Sequence, residues 1–120
     1  EGRKRLAEAK ARARAAAQGA EKAAALRQAA QIALDSLGRP NLAASFARRA
    51  LRADPSDDES IHIVALAMRS AQRYRALEKL LWRRLDADGD DQRAFEELTS
   101  LYEGPMRRPE QARVLRRLRG

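Results

Sequence analysis

Apolar side chains recur along this chain at intervals of three and four, the spacing that gathers them on one face of an α-helix. Leu26, Ala29, Ala30, Ala33, Leu34 and Leu37 form such a stripe in residues 21–37, which Gly38 ends. Pro40 and Asn41 open another run with the stripe Ala43, Phe46, Ala47, Ala50 and Leu51. Asp54-Pro55 closes it, because proline disfavours the α conformation in the residue before it. Asp57-Asp58-Glu59 suit the positive end of the next helix, which carries Ile61, Val64, Ala65 and Met68 and runs to about Ala71. Residues 74–86 hold Tyr74, Leu77, Leu80, Leu81 and Leu85, and Asp90-Asp91 cap a helix bearing Phe95, Leu98, Leu101 and Tyr102. Glu103-Gly104-Pro105 breaks the chain. A last helix starts at Pro109, the favoured first helical position for proline, with Ala112, Leu115 and Leu118 as its stripe. Ahead of all these, residues 3–18 are mostly alanine and charge, with Leu6 the one large apolar side chain, and Gly19 ends them. Few β-branched residues occur outside Ile61-His62-Ile63-Val64, so no strand is expected. The pattern predicts an all-α chain whose short loops, about 2–5 residues each, make successive helices antiparallel neighbours.

The runs repeat. Leu51-Arg52-Ala53-Asp54-Pro55-Ser56-Asp57-Asp58 is matched by Leu85-Asp86-Ala87-Asp88-Gly89-Asp90-Asp91-Gln92, which places Asp54 and Asp88 34 residues apart. A period in the mid-thirties is the mark of stacked helical hairpins, in which no repeat buries its own apolar face alone.

These residues resemble the tetratricopeptide repeat family, whose repeat is a pair of antiparallel helices with small residues where they touch. Ala43, Ala47 and Ala50 match the small positions of a second helix, Gly38 the turn between helices, and Asp54-Pro55 the closing turn. In the following repeat Ala65, Tyr74 and Asp88-Gly89 take the corresponding places, and in the last Phe95, Tyr102 and Ala112 do. Leu77 stands where a small residue is usual, one extra residue falls around Pro105-Met106, and residues 3–18 fit only the second helix of a truncated earlier repeat. The resemblance implies a TPR-like α-solenoid of about three repeats over residues 20–119, preceded by a basic N-terminal helix in residues 1–19. It also implies binding of a protein or peptide by the first helix of each repeat. By helical phase that face carries Gln28, Asp35, His62, Arg69, Arg93, Glu96 and Glu103. The Lys/Asn set with which some family members clamp a C-terminal carboxylate is absent. With no polar capping helix after Leu118, a terminal apolar face is expected to be covered by a neighbouring repeat, another copy or a partner.

Composition narrows the chemistry. At 120 residues and 4% aromatic content the core is modest and rich in small side chains, so helices must approach closely. The absence of cysteine removes disulfides, thiolate zinc sites and a thiol nucleophile. No run approaches the roughly 20 apolar residues that span a bilayer. The sequence opens Glu1-Gly2 without a methionine, as expected of a piece of a longer protein, and a cytoplasmic setting is the favoured expectation. The net charge of +8 gathers at the two ends: six basic residues against Glu8 between Arg3 and Arg14, and six against Glu110 between Arg107 and Arg119. Such ends offer an alternative function, binding of nucleic acid or another polyanion; the plainer account is that arginine solvates terminal helices.

A second alternative lies in residues 86–97, where Asp86, Asp88, Asp90 and Glu97 occupy the first, third, fifth and twelfth places of an EF-hand-like calcium loop. Asp91 stands where that loop needs glycine, and Arg93 where it needs an aliphatic residue. His62 is the single histidine and has no imidazole or thiol partner for zinc, nor a nucleophile at a recognisable spacing. No glycine loop for phosphate is present, so neither enzyme activity nor a cofactor is expected. Trp82 lies out of phase with the leucines of its helix. It is either packed between repeats or an exposed anchor for a partner.

Overall fold

A computed structural model describes residues 1–15 and 19–119. Among them are seven α-helices and no strand: α1 (Gly2–Ala15), α2 (Ala20–Asp35), α3 (Pro40–Ala53), α4 (Asp58–Ser70), α5 (Tyr74–Ala87), α6 (Gln92–Glu103) and α7 (Pro109–Arg119). The protein is all-α. The expected end of the first helix, at residues 16–18, lies outside the described residues. No described helix is long and apolar enough to cross a membrane. Between Ala71 and Gln72 the chain divides into two compact units, α1–α4 and α5–α7.

In the first unit α1 packs on α2, α2 on both α3 and α4, and α3 on α4. Alanines make this possible: Ala9 and Ala13 of α1, Ala29, Ala30 and Ala33 of α2, and Ala43, Ala47 and Ala50 of α3 are all buried. Small side chains let helix backbones approach, and Leu26, Phe46, Ile61, Val64 and Met68 fill what remains. At Gly2 a methyl group would sit 3.1 Å from both Leu37 Cδ2 and Ser36 Cβ. The start of α1 therefore lies against the end of α2, and the two run antiparallel. One polar knot joins α2 to α4. The fully buried Ser60 hydroxyl donates to Asp57 Oδ2 at 2.7 Å, and Arg27 Nε stands 3.0 Å from the same oxygen. The Arg27 N–H is not aimed at that oxygen, so the contact is ionic rather than a directed hydrogen bond.

In the second unit α5 packs on α6 and α6 on α7. Leu77, Leu81, Ala94, Leu98, Leu101, Tyr102, Ala112 and Leu115 are buried. The expected stripes are trimmed here. Tyr74, Leu80 and Leu85 are half-buried, and Phe95 is half-buried beneath the Arg119 guanidinium, 4.5 Å from its ring centroid. Leu118, expected to face inward with Ala112 and Leu115, is 80% exposed. It sits one turn beyond Leu115 on α7 and lines an open groove rather than the core.

The turns repeat more faithfully than the stripes. Asp54 and Asp88 close α3 and α5 with φ/ψ of −143/89 and −147/98. Each carboxylate accepts from the backbone N–H two residues on, Ser56 at 3.3 Å and Asp90 at 3.0 Å. Each carbonyl then accepts from the N–H of the following N-cap, Asp57 or Asp91, at 3.1 Å. Left-handed backbone recurs too, at Gly38 (φ 60), Gln72 (φ 59) and Arg107 (φ 52). Two residues after each, a helix begins: Pro40, Tyr74 and Pro109. The turns at Gly38 and Arg107 also share their hydrogen bonds, Leu37 N–H to Ile32 and Arg39 N–H to Ala33 against Met106 N–H to Leu101 and Arg108 N–H to Tyr102. The extra residue expected near Pro105-Met106 lies in the second interval, which is one longer than the first.

Candidate functional site

The first-helix residues are spread over three helices and differ in how far they are committed. On α2, Gln28 is exposed and accepts from the Arg12 guanidinium, and exposed Asp35 accepts from Gln31 Nε2 at 2.5 Å. On α4, His62 is exposed and Arg69 half-buried, and both interact with the rest of the protein. On α6, Arg93 is half-buried and Glu96 exposed. Glu103 is bound by Arg116 through both carboxylate oxygens, at 2.7 and 2.8 Å. That bidentate contact, followed by the nearby charge, holds the Glu103 carboxyl below its ordinary value and raises the Arg116 guanidinium further.

The four carboxylates of the calcium alternative do not converge. Asp88 turns back on the Asp90 N–H at 3.0 Å, Asp86 is exposed on the last turn of α5, and Glu97 lies half-buried within α6. Asp91, in the place where a calcium loop needs glycine, caps α6 by accepting from the Ala94 N–H at 3.0 Å. Its other oxygen stands 3.3 Å from Arg84 Nη2. Among the described residues no three carboxylate or imidazole side chains gather around a common point.

Arginines at the basic C-terminal end are partly engaged. Besides Arg116, Arg119 covers Phe95 and donates to the Gly89 carbonyl at 2.6 Å and to Gln92 Oε1 at 3.0 Å. At the N-terminal end, Lys10 and Arg49 line a small cavity of about 120 Å³ floored by Ala13, Leu26 and Phe46.

A groove of about 500 Å³ lies between α5 and α7, with α6 as its floor. Trp82 and Glu78 form one wall, Val114 and Leu118 the other. Tyr102 comes up from α6 between them. Its hydroxyl accepts from Trp82 Nε1 at 2.9 Å and donates to Glu78 Oε2 at 2.5 Å. Burial first, and the Glu78 carboxylate second, push the Tyr102 phenol above its ordinary value. Trp82 is thus held in a fixed orientation while remaining 38% exposed. Helical phase singles out Trp82 in the sequence, whereas Tyr102 sits on the regular stripe of its helix and Val114 belongs to another helix. The available signal was Glu78 one turn before Trp82, a carboxylate placed beside an out-of-phase indole.

Compared with family models, curated proteins and solved structures, the chain finds no match.

Proposed function

We propose that this chain is a non-catalytic protein-binding module built from TPR-like helical hairpins, which scaffolds a partner or docks within a larger assembly. One observation carries the reading. Left-handed turns at Gly38, Gln72 and Arg107 and the matched Asp54 and Asp88 closures recur at the period expected of a hairpin repeat. A chain that spends its local sequence on regular turns and exposed helix faces is suited to presenting surface rather than to chemistry. The first-helix residues Gln28, Asp35, His62 and Arg69 of one unit are one candidate surface, Arg93, Glu96 and Glu103 of the other are a second, and the groove beside Trp82 is a third.

The test is capture of partners on the immobilised chain, with nuclease-treated extract and mass spectrometry, beside a variant carrying Asp35→Arg and Glu96→Arg. Both positions are exposed, so the fold should persist. A protein retained by the parent and lost by the variant supports the reading. Retention seen only in untreated extract, or abolished by competing polyphosphate, and indifferent to the two substitutions, would transfer the function to the basic ends.

A further inference from the structure

The structure assigns an occupant to the groove between α5 and α7: we infer that it docks an acidic amphipathic helix of a partner protein, which sets leucine-like side chains against Trp82, Val114 and Leu118. This deepens the protein-binding reading and rests on it. Among the described residues the exposed large apolar side chains are Leu66, Trp82, Val114 and Leu118, and three of these four line this one groove. Val114 is 48% and Leu118 80% exposed, so both leave apolar area in contact with water. Their clustering is the pattern of an interaction site rather than of scattered surface leucines. The floor is built, since Tyr102 is buried and its hydroxyl is satisfied on both sides. A volume of about 500 Å³ suits inserted side chains.

Charge selects the partner. On α5, Arg75 and Lys79 stand one turn before Glu78 and Trp82, and Arg83 one turn beyond Lys79. On α7, Arg113 directly precedes Val114 and Arg117 lies one turn beyond it. All five are exposed, and none pairs with a carboxylate among the described residues. Against them the two helices carry Asp86, Glu110 and the groove's own Glu78, whose Oε2 already accepts from Tyr102. Two helices that carry unpaired cations and border an apolar groove are complementary to an apolar stripe edged with carboxylates. A second copy of this chain, docking α7 against α7, would bring Arg113 and Arg117 onto their own kind.

Trp82 is the sole tryptophan, so its emission reports the groove directly. The probe is a capped synthetic helix with leucine at helical spacing flanked by glutamates, compared with the same peptide carrying lysine for glutamate. The expected result is a saturable blue shift with the acidic peptide, with a Kd on the order of tens of micromolar. Leu118→Glu should weaken it at least about tenfold, and Lys79→Glu with Arg117→Glu several-fold, more so at low salt. Because these positions are exposed, unchanged circular dichroism will show that the fold is intact. Emission unmoved by the acidic peptide overturns the inference, as does equal binding of the lysine peptide. So does a blue shift that grows with protein concentration alone, which would make the occupant a second copy, or one produced equally by an oligonucleotide. A failure confined to this experiment leaves capture through the first-helix face standing; loss of all protein capture removes the broader reading.

Discussion

Trp82 Nε1 donates a hydrogen bond to the Tyr102 hydroxyl at 2.9 Å, across 20 residues of sequence. Tyr102→Phe deletes that bond and the one to Glu78 but keeps the ring. Trp82 and Glu78 are partly exposed and can turn to water, so the expected loss is only about 0.5–1.5 kcal/mol in denaturant unfolding. The Trp82 emission should shift to the red as the indole gains water. A loss above about 3 kcal/mol would mean that the ring itself had been displaced.

The same phenol predicts a dependence on alkaline pH. Its folded pKa is raised, so the neutral form is favoured by folding. This contribution is complete below the ordinary phenol value and is lost as pH rises through the folded one. The phenolate absorbance of the parent minus that of Tyr102→Phe isolates the titration. Its midpoint should lie above the ordinary value of 10.0, and one at or below it refutes the environment described.

Arg107 holds the left-handed conformation that Gly38 holds in the equivalent turn, with φ 52 against φ 60. A side chain there costs about 1 kcal/mol or more, partly offset by the greater unfolded-state freedom of glycine. Arg107→Gly is therefore expected to stabilise by about 0.5 kcal/mol, and Gly38→Ala to destabilise by about 1 kcal/mol. Paired melting curves of the two variants decide it, since opposite signs are required.

Asp57 and Asp91 sit at matching N-caps but should not be equally costly to remove. Asp91→Ala loses a cap to the Ala94 N–H, worth about 1 kcal/mol. Asp57→Ala strands the fully buried Ser60 hydroxyl as well as releasing Arg27, for an expected loss of about 2–3 kcal/mol. Adding Ser60→Ala to Asp57→Ala should recover part of that loss in a double-mutant cycle. Simple additivity would show that the hydroxyl and carboxylate do not depend on each other.

Glu103 gives a test at the acid end. Its carboxyl is held low chiefly by the Arg116 guanidinium, so the pair's small contribution is present above the unfolded carboxyl value and fades as pH falls through the folded one. In Arg116→Gln the Glu103 carboxyl resonance should titrate at higher pH than in the parent. An unmoved midpoint would place the cause elsewhere.

Much of the local architecture was legible. Pro40, Tyr74 and Pro109 start helices where proline geometry and the apolar period put them. Gly38 stops one by turning left-handed, and Asp54 and Asp88 close two more in an extended conformation that the two share. These are consequences of backbone sterics and of hydrogen bonds between residues only a few places apart, so the residues themselves determine them. The fate of each apolar stripe was not legible in this way. Helical period puts Leu118 in line with Leu115 but cannot say that Leu118 will line an open groove, nor that Arg119 will lie over Phe95. The groove has the same origin: Trp82, Tyr102 and Val114 lie on three different helices, and only packing brings them together. A sequence carries periodicity along one helix, whereas burial depends on which other helix arrives, and that was decided by the tertiary structure.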